Sequence, residues 1–352
     1  MKIFFLLNRS FQIILASILL LVRFPLWEAI KYYSTKSNNI VWINIYGIKY
    51  FINTIIWDAS IVSGLISNKN NYRLFFGKKV GNLHNKNIFF SLNNFFDFNI
   101  FTNYSQSISN TISQLESQGN KVLPNSREIL FWENKAYMHK EFDRLNIHSP
   151  KSYLIKNISD IESIKFAYPC LFKNVHSYHS KGIYKMESKE QAQAFLIEYH
   201  REHPNTEFIA QELLNIRKDI RIILIDDEII LHYWRKNLSN EWRPTSTSHG
   251  STIDFVSFPE HWRKHIIDTF KKLGISTGAF DIAFNNDDIN SDPLVLEISS
   301  HYYPNPIIDT ANMKYSYGEL KRKTWNSFDK LYIDTVFEIK RKHLALFIKT
   351  IK

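Results

Sequence analysis

Apolar residues occur along this chain in two patterns. Short runs rich in β-branched and aromatic residues read as strands, and longer stretches with apolar positions three and four apart read as helices. Between residues 38 and 100 the two alternate. Residues 40–45 (IVWINI) predict a strand, 50–66 a helix, and 72–76 and 87–92 two further strands. Strands alternating with helices predict a small parallel α/β sheet. Residues 102–118 then read as a polar-faced helix. The stretch 121–126 (KVLPNS) breaks it and opens a helix over 127–145, with Ser126 as its cap. Beyond Pro150 come a strand at 152–155, a helix at 159–166, a strand at 170–173 and a helix at 188–200. Strands follow at 207–214, at 219–224 and at 228–234, the last two joined by an Asp226-Asp227 turn. An amphipathic helix covers 260–273, and two short apolar runs, 278–284 and 294–300, are separated by a polar stretch. Residues 314–352 read as a basic amphipathic helical tail. No repeats and no low-complexity linker interrupt the chain.

The N-terminus breaks this rhythm. Residues 11–22 (FQIILASILLLV) are mostly apolar, Arg23 interrupts them, and Phe24-Pro25-Leu26-Trp27 resumes. The run is shorter than the roughly 20 residues a spanning helix needs, and no small-residue cleavage site marks it as a signal peptide. A buried helix, a helix lying in a membrane interface and a marginal anchor all remain open.

Composition narrows the classes. At 352 residues with 44% apolar content, the chain is long enough for two or three domains and a sizeable core. Its 44 basic against 34 acidic side chains leave a formal charge of +10, which favours anionic partners. No compact basic run, zinc-ligand spacing or RNA-binding aromatic signature is present, so nucleic acid is not expected. The single cysteine, Cys170, rules out a disulfide within the chain, suits a reducing compartment, and reads as a small core residue.

The chemistry concentrates in the second half. Asp281 and Glu297 each sit within one of the two apolar runs of strand character. Buried carboxylates need partners, and two on paired strands make a seat for a hard divalent cation that also takes phosphate oxygens. The plainer alternative is two strand acids paired with lysine or arginine. Lys173 closes a strand and leads through the polar loop of Ser177 and Ser180 to Gly182, an arrangement suited to phosphate oxygens and equally to a solvated hairpin. Gln211-Glu212-Leu213 reads as an inter-lobe linker whose backbone can hold a purine. Asp219 can accept from a ribose hydroxyl or pair with Arg221 or Lys218. Arg235 and Arg243 bracket a polar loop where guanidiniums would neutralise a terminal phosphate, or lie on the surface.

In order and spacing these residues resemble the ATP-grasp superfamily, in the branch of the ribosomal-protein glutamate ligase, glutathione synthetase and the graspetide ligases. The resemblance spans residues 126–306 and rests on Asn134-Lys135, Lys173, Gln211-Glu212, Asp219-Ile220-Arg221, Trp242-Arg243, His249-Gly250, Asp281 and Glu297. It implies ATP and Mg²⁺ (or Mn²⁺) as cofactors. Lys135 and Lys173 would contact phosphates, with Ser177, Ser180 and Gly182 in the phosphate loop. Gln211, Glu212 and Leu213 would form the adenine hinge, and Asp219 and Thr245 further nucleotide contacts. Arg221, Arg235 and Arg243 would serve catalysis, and Asp281, Glu297 and Ser299 the metal. Ser299 stands where the family usually has asparagine, and Ser177 and Ser180 where close relatives have glycine. His301-Tyr302-Tyr303-Pro304-Asn305-Pro306 replaces a glycine-containing turn, with its tyrosines able to stack on substrate or to cap the core.

The expected fold is therefore α/β (α+β). An apolar helix (1–37), a small parallel α/β domain (38–125), an ATP-grasp domain of two subdomains (126–310, hinge near 211–214) and a helical tail (311–352) make it up. The expected activity is an ATP-dependent carboxylate–amine ligase working through an acyl-phosphate. It would join a small amine to a carboxylate on a glycan, such as a surface polysaccharide, or on a peptide. His176, His179, His249 and His301 are candidates to deprotonate the amine. A peptide-modifying ligase of the graspetide type, a kinase and a non-catalytic nucleotide-binding protein are the alternatives. A cytoplasmic site is expected, with peripheral membrane contact through residues 1–35 and homo-oligomerisation left open.

Overall fold

The computed structural model describes residues 18, 20, 22–43, 47–77, 81–92, 103–177, 182–239, 241–246, 249–255, 257–303, 314–315 and 330–351. A short helix, α1 (Leu26–Tyr32), precedes a four-stranded sheet. The sheet holds β1 (Asn39–Ile43), β2 (Arg73–Phe76), β3 (Asn87–Phe90) and β4 (Lys121–Leu123) in the order β2-β1-β3-β4. Every pairing in it is parallel, as the strand–helix alternation predicts. The period of two decides what each face packs against. Trp42, Ile88, Phe90 and Val122 meet Ile108, Ile112 and Leu115 of α3 (Tyr104–Ser117). Val41, Phe89 and Leu123 meet Ile61 and Leu65 of α2 (Gly47–Ser67). The sequence reading missed β4, because Pro124 and Asn125 make 121–126 look like a breaker.

The helix expected over 127–145 is two helices. Asn125, not Ser126, caps α4 (Ser126–Leu130) in a reciprocal capping box with Glu128. The backbone turns at Glu133 (φ +51), and Asn134 recaps α5 (Lys135–Arg144) by accepting the Tyr137 N–H. Two antiparallel sheets follow. The smaller has the order β5-β8-β6-β7, formed by β5 (Ser152–Ile155), β6 (Cys170–Asn174), β7 (Ile183–Met186) and β8 (Phe208–Glu212). Cys170, Phe172, Phe208 and Ala210 bury one face against Ala192 and Leu196 of α6 (Lys189–Glu202). Burial pushes the Cys170 thiol up to about 12, as suits a core residue. The alternate positions, Lys173 and Gln211 among them, point the other way. The helix expected at 159–166 is a 3-10 turn at Ile158–Ser163, and that at 260–273 is a 3-10 turn leading into α7 (Arg263–Lys272).

The larger sheet is six-stranded. It holds β9 (Lys218–Ile225), β10 (Glu228–Lys236), β11 (Thr252–Asp254), β12 (Thr277–Phe284), β13 (Pro293–Ser299) and β14 (Lys314–Tyr315) in the order β13-β12-β9-β10-β11-β14. Ile220, Ile222, Leu224, Phe280 and Ile282 pack on Met138 and Phe142 of α5 and on Ile266 and Phe270 of α7. The tail expected to be helical from residue 314 opens instead as β14, paired with β11. Its helix is α8 (Lys330–Ile351), amphipathic as expected. Leu344 and Ile348 enter the core beneath the parallel sheet, and Ile339 that beneath the six-stranded sheet. The Oγ of Ser276 meets His343 Nε2 at 2.6 Å, and the Ser276 N–H donates to Glu128 at 2.8 Å, so α8 is tied to the start of β12 and to α4.

Candidate active site

The face of the six-stranded sheet opposite α5 and α7 changes character along its strands. At one end it is apolar, with Ile223, Ile225 and Ala279. At the other end it carries charges in register. Asp281 on β12 lies directly opposite Glu297 on β13 and opposite Arg221 on β9, and Arg221 lies opposite Tyr233 on β10. Asp219 lies opposite Arg235. The expected pairing of the two acids is thus present, with a bulge just after Asp281.

Asp281 is not a free carboxylate. Arg221 donates to it through Nε and Nη2, both at 2.7 Å, and Arg235 Nη2 stands 2.9 Å away. Burial would raise its pKa, but Arg221 and then Arg235 outweigh that and hold it at about 2. Asp219, expected at a ribose, is likewise occupied. Its oxygens accept from Arg235 (Nε at 2.7 Å) and from Thr245 Oγ1 at 2.9 Å. Its partner is Arg235, neither Arg221 nor Lys218. Glu297 is more open, with 36% of its side chain exposed and Lys135 Nζ at 3.8 Å.

The smaller sheet supplies the facing wall. Asn134 starts α5 so that Lys135 Nζ donates to the Ser177 carbonyl at 2.8 Å and lies 3.3 Å from its hydroxyl. Lys173, on the outward face of β6, donates to Gln211 Oε1 at 2.5 Å. Burial lowers its pKa to about 8, opposed by Glu297, Asp219 and Asp281 and reinforced by Lys135. Lys135, bonded to Ser177 beyond β6 and 3.8 Å from Glu297 on β13, brings the ends of the two sheets together. The turn after β6 is tight. Ser177 Oγ donates to the Asn174 carbonyl at 3.1 Å, and a Cβ on Gly182 (φ +70) would lie 2.5 Å from Asn174 Nδ2. Ser180 and His179 lie outside the described residues.

Other expected residues are placed differently. Glu212 ends β8, turning its carboxylate onto the Lys151 N–H at 2.8 Å and giving its own N–H to the Lys151 carbonyl at 3.0 Å, with half-buried Leu213 following at the linker. Arg243 is half-exposed, with Glu241 as its ion-pair partner at 3.3 Å. Ser299 donates its hydroxyl to the His301 carbonyl. His301 is buried between Trp57 and Trp132, which lowers its pKa to about 3, and burial lowers His176 to about 4. Neither faces the cleft as a ready base. His249 is exposed. Tyr302 caps the core, its hydroxyl 2.7 Å from Thr277 Oγ1. Asn305 lies outside the described residues.

Two residues were missed. Glu133, at the positive-φ corner before α5, has its pKa raised to about 8 by burial and by Glu297, with Lys135 opposing. Its place directly before Asn134-Lys135 was the available signal. Asp287, in the β12–β13 turn, accepts the N–H groups of Arg217 and Lys218 at 3.0 and 3.2 Å, and Asn286 accepts from Asn215 at 2.9 Å. The hairpin that carries both acids therefore also grips the linker between the sheets.

Among the described residues no three His, Cys, Asp or Glu side chains converge as a metal cage. A magnesium ion bound through one or two carboxylates and completed by phosphate and water needs no more than Asp281 and Glu297. The donor set fits, provided an arginine loosens from Asp281.

A profile of the RimK-like ATP-grasp domain matches residues 132–310, half of the chain. No curated protein sequence matches. Among solved structures, D-alanine–D-alanine ligase from Bacillus anthracis, crystallised with ATP, is similar at 12% identity and a TM-score of 0.51, over 88% of this chain and 99% of that one. A RimK-domain ATP-grasp protein from Sphaerobacter thermophilus gives 11% and 0.50, over 74% and 90%. The D-cycloserine synthetase DcsG gives 9% and 0.52, over 86% and 99%. At these identities the likeness is one of fold.

Proposed function

The chain belongs to the RimK-like ATP-grasp family and is an ATP-dependent ligase, and from that premise we propose that it joins a carboxylate to an amine through an acyl-phosphate. The observation that carries this reading is the cleft in which Asp281 and Glu297, paired in register, face Lys135 and Lys173. A carboxylate oxygen of the substrate attacks the γ-phosphorus and the bond to ADP breaks. The amine nitrogen then attacks the acyl carbon, the C–O bond to phosphate breaks, and the amine proton leaves to a base. Lys135 and Lys173 hold phosphate oxygens, Gln211 fixes the Lys173 ammonium, and Arg221 and Arg235 stabilise the charge of the transferred group. A magnesium ion held by Asp281 and Glu297 would supply charge neutralisation on the triphosphate. Gln211, Glu212 and Leu213 frame the adenine through backbone groups. Glu133, kept neutral up to about pH 8 beside Lys135, is placed to exchange a proton at the cleft.

The acceptor is a carboxylate on a peptide or a glycan. Incubation with ATP, Mg²⁺ and hydroxylamine in the presence of carboxylated peptides or uronic-acid oligosaccharides traps an acyl-phosphate as hydroxamate, read by mass spectrometry. Hydroxamate on one class names the acceptor, and absence on both counts against the ligase reading. A second reading has one observation in its favour: the arginines that occupy Asp281 suit a nucleotide-binding protein without turnover. ATP binding by calorimetry, unchanged in Asp281→Asn and Glu297→Gln and unaccompanied by ADP release, would select it.

A further inference from the structure

The chain's charge is not spread evenly. Residues 1–92 hold 11 of the 44 lysines and arginines but only two of the 34 acids, Glu28 and Asp58; the other 260 residues are nearly balanced, at 33 and 32. Asp58 is buried, so Glu28 is the one acid this region turns to solvent among the described residues. The same region carries apolar side chains that are exposed among the described residues. Ile18, Val22, Leu26, Trp27, Ile30 and Tyr33 are all exposed, Val22 at 76% and Trp27 at 81%. Leu26, Ile30 and Tyr33, three and four apart with Trp27 beside Leu26, share one side of α1, and Ile18 and Val22 stand exposed on the turn before it. The opposite side is anchored. Ala29 is buried, Phe24 and Tyr32 pack on the cluster that holds Leu344 and Ile348, and Arg23 pairs with Asp334 at 3.2 Å. The segment is thus held with its apolar side outward by contacts to α2 and α8. Exposed lysines flank it. Lys36 and Lys69 stand on adjacent loops tied by the bond from Ser37 Oγ to the Asn71 carbonyl (2.8 Å), and Lys31 lies on α1 itself.

We infer that this face docks on an anionic membrane surface, with the Trp27 stripe entering the lipid interface and the lysines meeting acidic headgroups. Exposed apolar area of this kind marks a contact surface. Tryptophan and tyrosine favour the interface between lipid and water. An apolar stripe combined with a basic rim supplies the two signals that stable attachment requires. Among the described residues no helix is long and apolar enough to cross a membrane. The surface is independent of the ligase chemistry.

Flotation of the full chain with phosphatidylglycerol-containing vesicles, against phosphatidylcholine vesicles alone, tests it. Binding is expected to the anionic vesicles only and to weaken as salt is raised. Val22→Glu with Trp27→Glu lowers partitioning at least about tenfold, following the cost of withholding two large apolar side chains from lipid. Lys36→Glu and Lys69→Glu each lower it about fivefold. ATP affinity, measured by calorimetry on the same variants, stays unchanged and shows that they fold. Equal binding to both vesicle types, or full binding by the Val22/Trp27 variant, overturns the inference. So does a dimer in light scattering that this variant dissolves, since a second copy then covers the stripe.

Discussion

Asp281 holds two arginines and is also asked to hold a metal, and the two roles predict different behaviour from its neighbour. Asp281→Asn leaves Arg221 and Arg235 buried without their shared carboxylate, so it should cost about 3–5 kcal/mol of stability as well as activity. Glu297 is half-open with its nearest ammonium at 3.8 Å, so Glu297→Gln should cost about 1 kcal/mol or less while losing activity as fully. Urea melts beside hydroxamate assays separate the two. Glu133 gives a pH signature. Its folded pKa of about 8 lies above the ordinary 4.5, so its contribution to stability is complete below pH 4.5 and is lost as pH rises through 8. Glu133→Gln should remove that slope, gaining on the wild type between those limits in melts run across pH. Lys173, with its pKa near 8, should lose its charge in the free protein above that pH, so the Kd for ATP should rise there by calorimetry, and less steeply in Lys173→Arg. These residue roles were legible unevenly. Their place inside apolar strand-like runs announced Asp281 and Glu297, but nothing in the sequence said that Arg235 would be shared by Asp219 and Asp281, because that depends on cross-strand register.

At the scale of elements, two contacts should repay mutation. Helices α2 and α8 cross so closely at Gly64 that an added Cβ would lie 2.5 Å from Leu344 Cδ1 and 3.3 Å from the Lys340 carbonyl. Gly64→Ala should destabilise by about 1–3 kcal/mol, and Leu344→Ala in the same chain should relieve part of it, a coupling that a double-mutant cycle reads. The β12–β13 turn holds the linker through Asp287. Asp287→Ala should open residues 213–218 to limited proteolysis and raise the Kd for ATP several-fold, while the melt shifts little because the bonds are exposed. The split between α4 and α5 shows why helix boundaries escaped the sequence. Residues 127–145 are helix-competent throughout, and the break follows from Asn125 and Asn134 each capping its own helix and from Glu133 taking a positive φ.

For the whole molecule, the C-terminal helix is the element whose docking composition leaves open. Residues 330–351 look like a basic tail, yet Leu344, Ile348 and Ile339 enter two separate cores, and burial lowers Lys340 to about 8 despite Glu128 and Asp58. A chain ending at residue 329 should therefore melt well below the full chain and aggregate, as differential scanning calorimetry would record. The alternation of strands and helices, the place of Lys173 at a strand end and of the two acids within apolar runs, the basic balance and the order of the ATP-grasp elements were legible in local sequence, because period and residue type act over a few neighbours. Which guanidinium meets which carboxylate, which tyrosine becomes core, where α8 docks and which side of the α1 segment is left bare were decided only by tertiary packing, since each depends on contacts between residues tens to hundreds of positions apart.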